Sequence, residues 1–600
     1  MPQQVRQGLL LTVIAAVVFL IGLGSTHLWD DDETFFAEVA REMYARDDLI
    51  VPWFNDQLFA HKPPFMYWMM IGAYHALGVN EFAARLPSVL FGLATVLLVW
   101  RLGRILYSPR AGFWAAVALA TNLNFTVISR AATSDAELAF FCTLSLYLFV
   151  RGTAVRRLGS EGEPELVWHA RQTILQPTLG TYAQVYAAMG VAVLVKGPIG
   201  VMLPTAVLGL FLLWMRRLEG PPQPDAGWKS RATSALRLLD PRVIFSTIWN
   251  LRPLSAVVAL LAISGPWYLV VSLRTDGAFL AGFFGTHHFN RFLNPMDNHS
   301  GPMWYYLAAV CVGFFPWIIF LMPTLIDWYR RVRERHPWYP GDVLCAAWCL
   351  VWFVFFSLAS TKFPHYVVPA YPALALMTAA FLDRWIASAD LYGTLARRGA
   401  WVTIGVVGLG IMIVVPIVEH FVLNDIGLAG VAGLPLLVGA VFARLFTERR
   451  QIARGLVALT GSAIAFLVIL FAYSAVEIDQ HQNSDVIAAK IRGDAGEARP
   501  RIAHFHYYRP GLTFYCREPI AKMIRPEDAI DFLNGPSPSY LLTSRHEFER
   551  LQPDLPAETK VLGTLPWFLK RGKEVVVLGR NVQSGPVASN AAPTRDNATN

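Results

Sequence analysis

Apolar runs of bilayer-spanning length recur from about residue 9 to Ser474, and nothing else in the sequence limits the fold as strongly. A membrane span needs about 20 predominantly apolar residues. Runs of that kind begin near residues 9, 86, 111, 136, 181, 198, 253, 303, 342, 366, 400, 428 and 456. They predict about thirteen transmembrane helices. The run over 181–195 is short and stops at Lys196-Gly197-Pro198, which predicts a broken or partial span. Only 16% of the 600 residues are charged and 54% are hydrophobic. One soluble core cannot bury such an excess, because soluble domains carry about 25% charged residues. The expected fold class is therefore an α-helical integral membrane protein.

Charge sets the predicted orientation. The net charge of +8 comes with neither zinc-finger spacing nor an arginine-rich arm, so nucleic acid is not an expected partner. The basic residues gather in alternate loops: 216–252, "YRRVRER" at 329–335 and "TERRQIAR" at 447–454. The positive-inside rule places those loops and the N-terminus in the cytoplasm. Loops 29–85, 130–136, 275–302 and 361–365 then face outside, as does the chain beyond 477. The first apolar run has no Ala-x-Ala cleavage site after it and reads as a retained span. The five cysteines form no disulfide framework or metal-type cluster.

Three regions follow. Residues 1–476 form the transmembrane domain, and 29–85 is its first outside loop. There Phe36, Val39, Ala40, Met43 and Tyr44 make an apolar stripe at helical spacing, predicting an amphipathic helix along the membrane surface. Residues 477–580 hold the strand-like "RIAHFHYYR", "SYLLTS" and "EVVVLGR" and the helix-like "PEDAIDFLNG", which predict a small α/β domain. Residues 581–600 are poor in apolar side chains and read as a disordered tail.

Ionisable residues collect at the outside edges of the spans, where dehydration is costly unless they are used or paired. In "DDDE", Asp30 and Glu33 have the spacing of a capping box. The same run could supply a general base or hold a metal or a sugar hydroxyl. Lys62 stands before Pro63-Pro64, held where it could bind phosphate or simply snorkel. Asp135 stands at a short turn after Arg130 and could cap the next span or add a second acid to the first. His287, His288, Arg291 and His299 precede an aromatic belt. They lack a His-Glu-x-x-His pattern, so phosphate or sugar contact fits them better than zinc. Thr361, Lys362, His365 and Tyr366 interrupt two spans, and Lys196 ends another. Three lysines and an arginine at outward edges suit an anion at the membrane face, with a lipid-linked phosphate as the natural candidate.

The ordered set "DDETFFAEVAREM", "HKPPFMYW", "NEFAARLPS", "TSDAEL", "LVKGP", "PWYLVV", "HHFNRF", "GPMWYYL" and "TKFPHYVVPAYP" resembles the bacterial polyprenyl-phosphate-dependent glycosyltransferases of the GT-C type. Within that type it is most similar to the lipid A aminoarabinose transferases and the protein O-mannosyltransferase-like family, over roughly residues 10–390. The resemblance implies transfer of a sugar, usually with inversion, from a polyprenyl phosphate to an envelope lipid, glycan or protein at the outer face of the cytoplasmic membrane. It implies catalytic roles for Asp32, Glu33 and Asp135. It implies donor-phosphate contacts from Lys62, Lys196, Arg291, Lys362 and Tyr366, and substrate or metal contacts from His61, His288 and His299. No cofactor is required by the pattern, and a divalent metal remains an option. Two departures argue against aminoarabinose or lipid A specifically. Phe35-Phe36 replace an Arg-Tyr pair, and His61 replaces an acid before the lysine. A lipid or lipid-linked-sugar flippase is the alternative. It would place its polar residues along a path through the bilayer rather than at one face.

Overall fold

The computed structural model describes residues 2–29, 32–158, 164–168, 177–218, 240–290, 293, 300–423 and 427–581; side chains within 156–158, 164–167, 217–218 and 288–290 are not described. The chain divides into two compact units, Met1–Gln480 and His481–Asn600.

Unit one is helical. Among the described residues, ten helices are long and apolar enough to cross a membrane, or thirteen if three bent pairs each count as one span. The bends are 64° at 120–123, 46° at 250–253 and 113° at 313–317. The protein is thus a multi-pass α-helical membrane protein. The helices needed below are α1 (Gln3–Leu20), α2 (Glu33–Ala45), α3 (Phe65–Leu77), α4 (Glu81–Leu106), α5 (Pro109–Ala120), α6 (Leu123–Arg130), α7 (Asp135–Thr153), α8 (Leu179–Lys196) and α9 (Ile199–Leu218). The run expected to be a broken span is instead an uninterrupted 18-residue helix, α8. It ends where Gly197 adopts φ +75°, a conformation that suits glycine, and Pro198 then leads into α9. The last span runs past Ser474 to Asp479. Its polar end is anchored, since Glu477 accepts the Leu428 N–H at 2.8 Å and Asp479 accepts the His27 N–H at 2.9 Å.

The first loop differs from the surface helix expected of it. The stripe of α2 is buried under protein except for the exposed Tyr44: Phe36 meets Tyr67 of α3 with ring centroids 6.4 Å apart, and the Tyr74 hydroxyl donates to the Ala37 carbonyl at 3.1 Å. The acidic face is buried too. Glu38 receives Arg41 through two hydrogen bonds of 2.7 and 2.8 Å, and Glu42 receives Arg46 at 3.1 Å. Neutralising both acids locally lets α2 pack inward on both faces, which sequence periodicity cannot anticipate. A two-stranded hairpin, β1 (Trp53–Phe54) and β2 (Gln57–Leu58), closes the loop. A second hairpin pairs β3 (Val155–Leu158) with β4 (Pro164–Val167).

Unit two is a small α/β fold. Its sheet has the order β6-β5-β7-β9-β8, with β5 (Arg501–Phe505), β6 (Ile520–Met523), β7 (Ser539–Ser544), β8 (Lys560–Pro566) and β9 (Glu574–Arg580). β5 lies parallel to β6 and β7, whereas β9 runs antiparallel to β7 and β8. Each face carries its own core, one around Ile502, Tyr540 and Leu542 and the other around Ala503, Phe505 and Leu541, as strand alternation requires. The residues read as a disordered tail lie outside the described residues, apart from Asn581.

Candidate active site

Asp30 and Asp31 lie outside the described residues, so the capping-box reading applies to Glu33 alone. Glu33 does not serve as a cap. Its two oxygens accept Arg85 Nε at 2.8 Å and Nη2 at 2.7 Å, the Trp29 N–H at 2.9 Å and the Ala132 N–H at 2.7 Å. Arg85 also donates to the carbonyls of Leu23, Thr26 and His27. Burial alone would raise the Glu33 pKa, but Arg85 and the two amide donors outweigh it and hold the carboxyl below its ordinary range. Glu33 thus has its lone pairs committed to four donors. It ties the first loop to the start of α4 and to the turn that carries Asp135.

That fastening leaves Asp32 at the head of α2 with an exposed side chain that makes no cap hydrogen bond. Asp32 lines a cavity of about 400 Å³ together with Arg130, Thr133, Asp135 and His365. The wall is built from fixed parts: Arg130 donates to the Val18 and Phe19 carbonyls at 3.0 and 2.8 Å, where α1 ends.

Asp135 is the first residue of α7 and pairs with Lys196, the last residue of α8, at 2.5 Å. Both are buried. Lys196 faces a second cavity of about 500 Å³, which Lys62 and Tyr366 also line. The remaining wall is mostly apolar and includes Leu138, Ile199, Met202, Phe284 and Phe355. The Lys196 ammonium lies 5.5 Å from the centroid of the Tyr366 ring. Lys62 and His365 both contribute to the field at Asp135. The Asp135–Lys196 pair therefore separates an acid-lined cavity from a lysine-lined, greasy one.

Other expected residues fall elsewhere. Lys362 lines neither cavity. Its ammonium donates to the carbonyls of Ser357 at 2.8 Å and Ala359 at 2.7 Å, capping the helix Tyr339–Leu358. His61 stacks on Phe59 with centroids 3.9 Å apart, and its ring lies 3.8 Å from that of His287. Among the described residues no three histidines, cysteines, aspartates or glutamates converge as a metal site. The His288 side chain, Arg291 and His299 lie outside the described residues.

Three further residues stand out that lay within the sequence motifs without a role assigned to them. His365 joins Asp32 and Asp135 in the acid cavity, and its only signal was its place in "TKFPHY". Arg85 carried no signal beyond its place in "NEFAARLPS", near the start of a span. Glu137, two residues after Asp135, is fully buried with neither carboxylate oxygen hydrogen-bonded.

Helices, loop and cavities together define the class: a multi-pass membrane protein with the GT-C fold, resembling the polyprenyl-phosphate-dependent glycosyltransferases built on it. Residues 61–160 match the family described as dolichyl-phosphate-mannose-protein mannosyltransferase. In sequence the chain is similar to the undecaprenyl phosphate-alpha-4-amino-4-deoxy-L-arabinose arabinosyl transferase of Yersinia pestis (strain Pestoides F), 26% identical over 62% of this chain; the match spans 58% of that relative's length. The enzyme of the same name from Pectobacterium carotovorum subsp. carotovorum (strain PC1) is 28% identical over 72% of this chain and 69% of its own. In structure the chain resembles ArnT from Cupriavidus metallidurans bound to undecaprenyl phosphate, with a TM-score of 0.72 at 24% identity over 98% of this chain and 99% of that one.

Proposed function

We propose that the protein is a membrane glycosyltransferase. It moves a sugar from a polyprenyl-phosphate donor to a lipid, glycan or protein acceptor at the outer face of a bacterial cytoplasmic membrane. In this reading the N-terminus is cytoplasmic and the C-terminal unit extracytoplasmic. The observation that carries it is the pair of unlike cavities flanking Asp135 and Lys196. The apolar cavity suits a prenyl chain, and its lysines suit the phosphate at the head of that chain. The acid cavity suits a hydroxyl nucleophile. Undecaprenyl phosphate, bound in the Cupriavidus relative, is a donor carrier of this class.

The chemistry follows from charge. The acceptor oxygen attacks the anomeric carbon from the acid cavity. The bond from that carbon to the phosphate oxygen breaks, and its electron pair leaves with the phosphate. Lys62 and Lys196 stabilise the charge gained there, with Tyr366 holding Lys196 in place. The acceptor proton passes to Asp32 as general base. A phosphate that competes for Lys196 would loosen the lysine's hold on Asp135, so that Asp135 and His365 could orient the nucleophile. Attack from the side opposite the phosphate inverts the anomeric centre. His61 and His287 offer two imidazoles, half of a tetrahedral metal set.

The test is Asp32→Asn, assayed in isolated membranes supplied with polyprenyl-phosphate sugar. Transfer should be lost at normal protein levels. Full activity in that variant would overturn the assignment of Asp32 as the base.

A further inference from the structure

The tip of the β8–β9 hairpin, Trp567 to Lys573, reads "WFLKRGK": three aromatic or aliphatic side chains followed by three cations and no acid. The tip is ordered. The Trp567 N–H donates to the Lys573 carbonyl at 2.8 Å, and the Lys570 N–H donates to the Trp567 carbonyl at 2.9 Å. At its apex Leu569 sits at φ +59° with 52% of its surface exposed. A leucine in the left-handed region is uncommon and costs free energy that glycine or asparagine would avoid.

The cations cluster on the aromatic ring. Lys570 and Lys573 lie 4.3 and 6.0 Å from the Trp567 ring centroid. Lys570, Arg571 and Lys573 are all exposed and form no ion pair with an acid among the described residues. Trp567 is half-buried against Tyr507, with ring centroids 5.0 Å apart, and Phe568 is buried, so the free surface of the tip is the exposed Leu569 and a ring of unneutralised cations, a composition suited to an anionic membrane interface.

Chain connectivity brings such a surface within reach. The Asn483 side chain donates to the Pro566 carbonyl at 2.7 Å, at the base of the tip. Asn483 is four residues beyond Asp479, where the last membrane-spanning helix ends. Four extended residues cover at most about 14 Å. The hairpin base is therefore joined by a short run of chain to the end of that helix.

We propose that the 567–573 tip docks on the membrane surface, with Leu569 and Trp567 at the headgroup level and Lys570, Arg571 and Lys573 against anionic phospholipid headgroups. This does not depend on the glycosyltransferase reading.

The test uses the full chain in nanodiscs of phosphatidylcholine with or without phosphatidylglycerol. A Leu569→Cys variant on a Cys311→Ser background carries an environment-sensitive fluorophore, because Cys311 is the exposed native thiol. An Arg571→Cys variant serves as the second labelling site, and Lys522→Cys on β6, the opposite edge strand, reports the general surroundings of the unit. With phosphatidylglycerol, labels at 569 and 571 should shift to the blue and be quenched by lipids spin-labelled near the headgroup. The label at 522 should do neither. Substituting glutamine at Lys570, Arg571 and Lys573 together should abolish the phosphatidylglycerol dependence. A label at 569 or 571 that stays water-exposed in anionic discs would overturn the proposal. So would a blue shift without quenching by lipid, which would mean that the tip is covered by protein.

Discussion

Two buried charge clusters stand at opposite ends of the 26-residue helix α4, about 39 Å long. Near its start, Arg85 and Glu33 fasten the loop that presents Asp32. Just past its end, the Tyr107 hydroxyl donates to Asp342 at 3.2 Å. Asp342 in turn receives Arg331 through two bonds of 2.8 Å, and Arg331 also reaches Asp327, which Arg384 contacts at 2.6 Å. The second cluster is closed: Arg331 is fully buried and each of its guanidinium nitrogens has a carboxylate partner. In the first, Glu33 and Arg85 are spent on each other although both also line the acid cavity. Asp32, Asp135 and Lys196 look into cavities. Buried charge alone does not mark a site; the difference lies in whether the charges are spent on each other or left facing space that a substrate can fill.

The sharpest way to break this contrast is to exchange the outcomes. Asp32→Asn should lower transfer by about 10²–10⁴-fold, the usual span for a general base, and leave thermal stability unchanged. Arg331→Met should do the reverse. It strands Asp342 with only the Tyr107 hydroxyl and should destabilise the fold by about 3–5 kcal/mol. Activity per folded molecule should stay near wild type. Thermal unfolding in detergent beside a membrane transfer assay reads both. An Arg331→Met protein of normal stability and lost activity would erase the distinction.

Lys62→Ala sits one step lower. Losing one charge-assisted contact to phosphate is worth about 1.5–3 kcal/mol. It should appear as a lowered kcat together with a raised KM for the lipid-phosphate donor, with the acceptor KM unchanged. Glu33 supplies the pH test. Its folded pKa is depressed below the ordinary value of 4.5. Its stabilisation is therefore fully present above that value and is lost as pH falls through the lower, folded one. Glu33→Gln should flatten the stability–pH curve below about pH 4.5, read by thermal unfolding across that range.

Much of this was legible. The thirteen predicted run starts fall near the helices or bent pairs because membrane spans announce themselves by composition alone. Within unit two, β5, β7 and β9 were plain from their apolar runs. β6 is only four residues long, and β8, interrupted at Gly563 and bulged after Val561, shows no clean alternation. At the site, ordered motifs picked out Asp32, Asp135, Lys62, Lys196 and Tyr366. The resemblance favoured Asp32 as the base, but what fixes Glu33 instead, the Arg85 guanidinium 52 residues away, was not legible. The motifs included His365 without a role, because its place beside Asp32 and Asp135 depends on the fold bringing residue 365 to residues 32 and 135.

Lys362 gives the smallest effect and the cleanest control. By sequence it belongs with Lys62 and Lys196, a lysine at an outward edge beside an aromatic. In the fold its ammonium is spent on carbonyls at the end of Tyr339–Leu358. A cation at a helix C-terminus contributes about 0.3–1 kcal/mol. Lys362→Gln keeps a hydrogen-bond donor and should cost no more than that in unfolding experiments. Its donor KM should equal that of the wild type, where Lys62→Ala raises it. If Lys362→Gln raised the donor KM as much as Lys62→Ala does, the lysine would have to leave its carbonyls when the phosphate arrives. The helix end would then be part of the donor site, and the line drawn here between spent and available charge would move to include it.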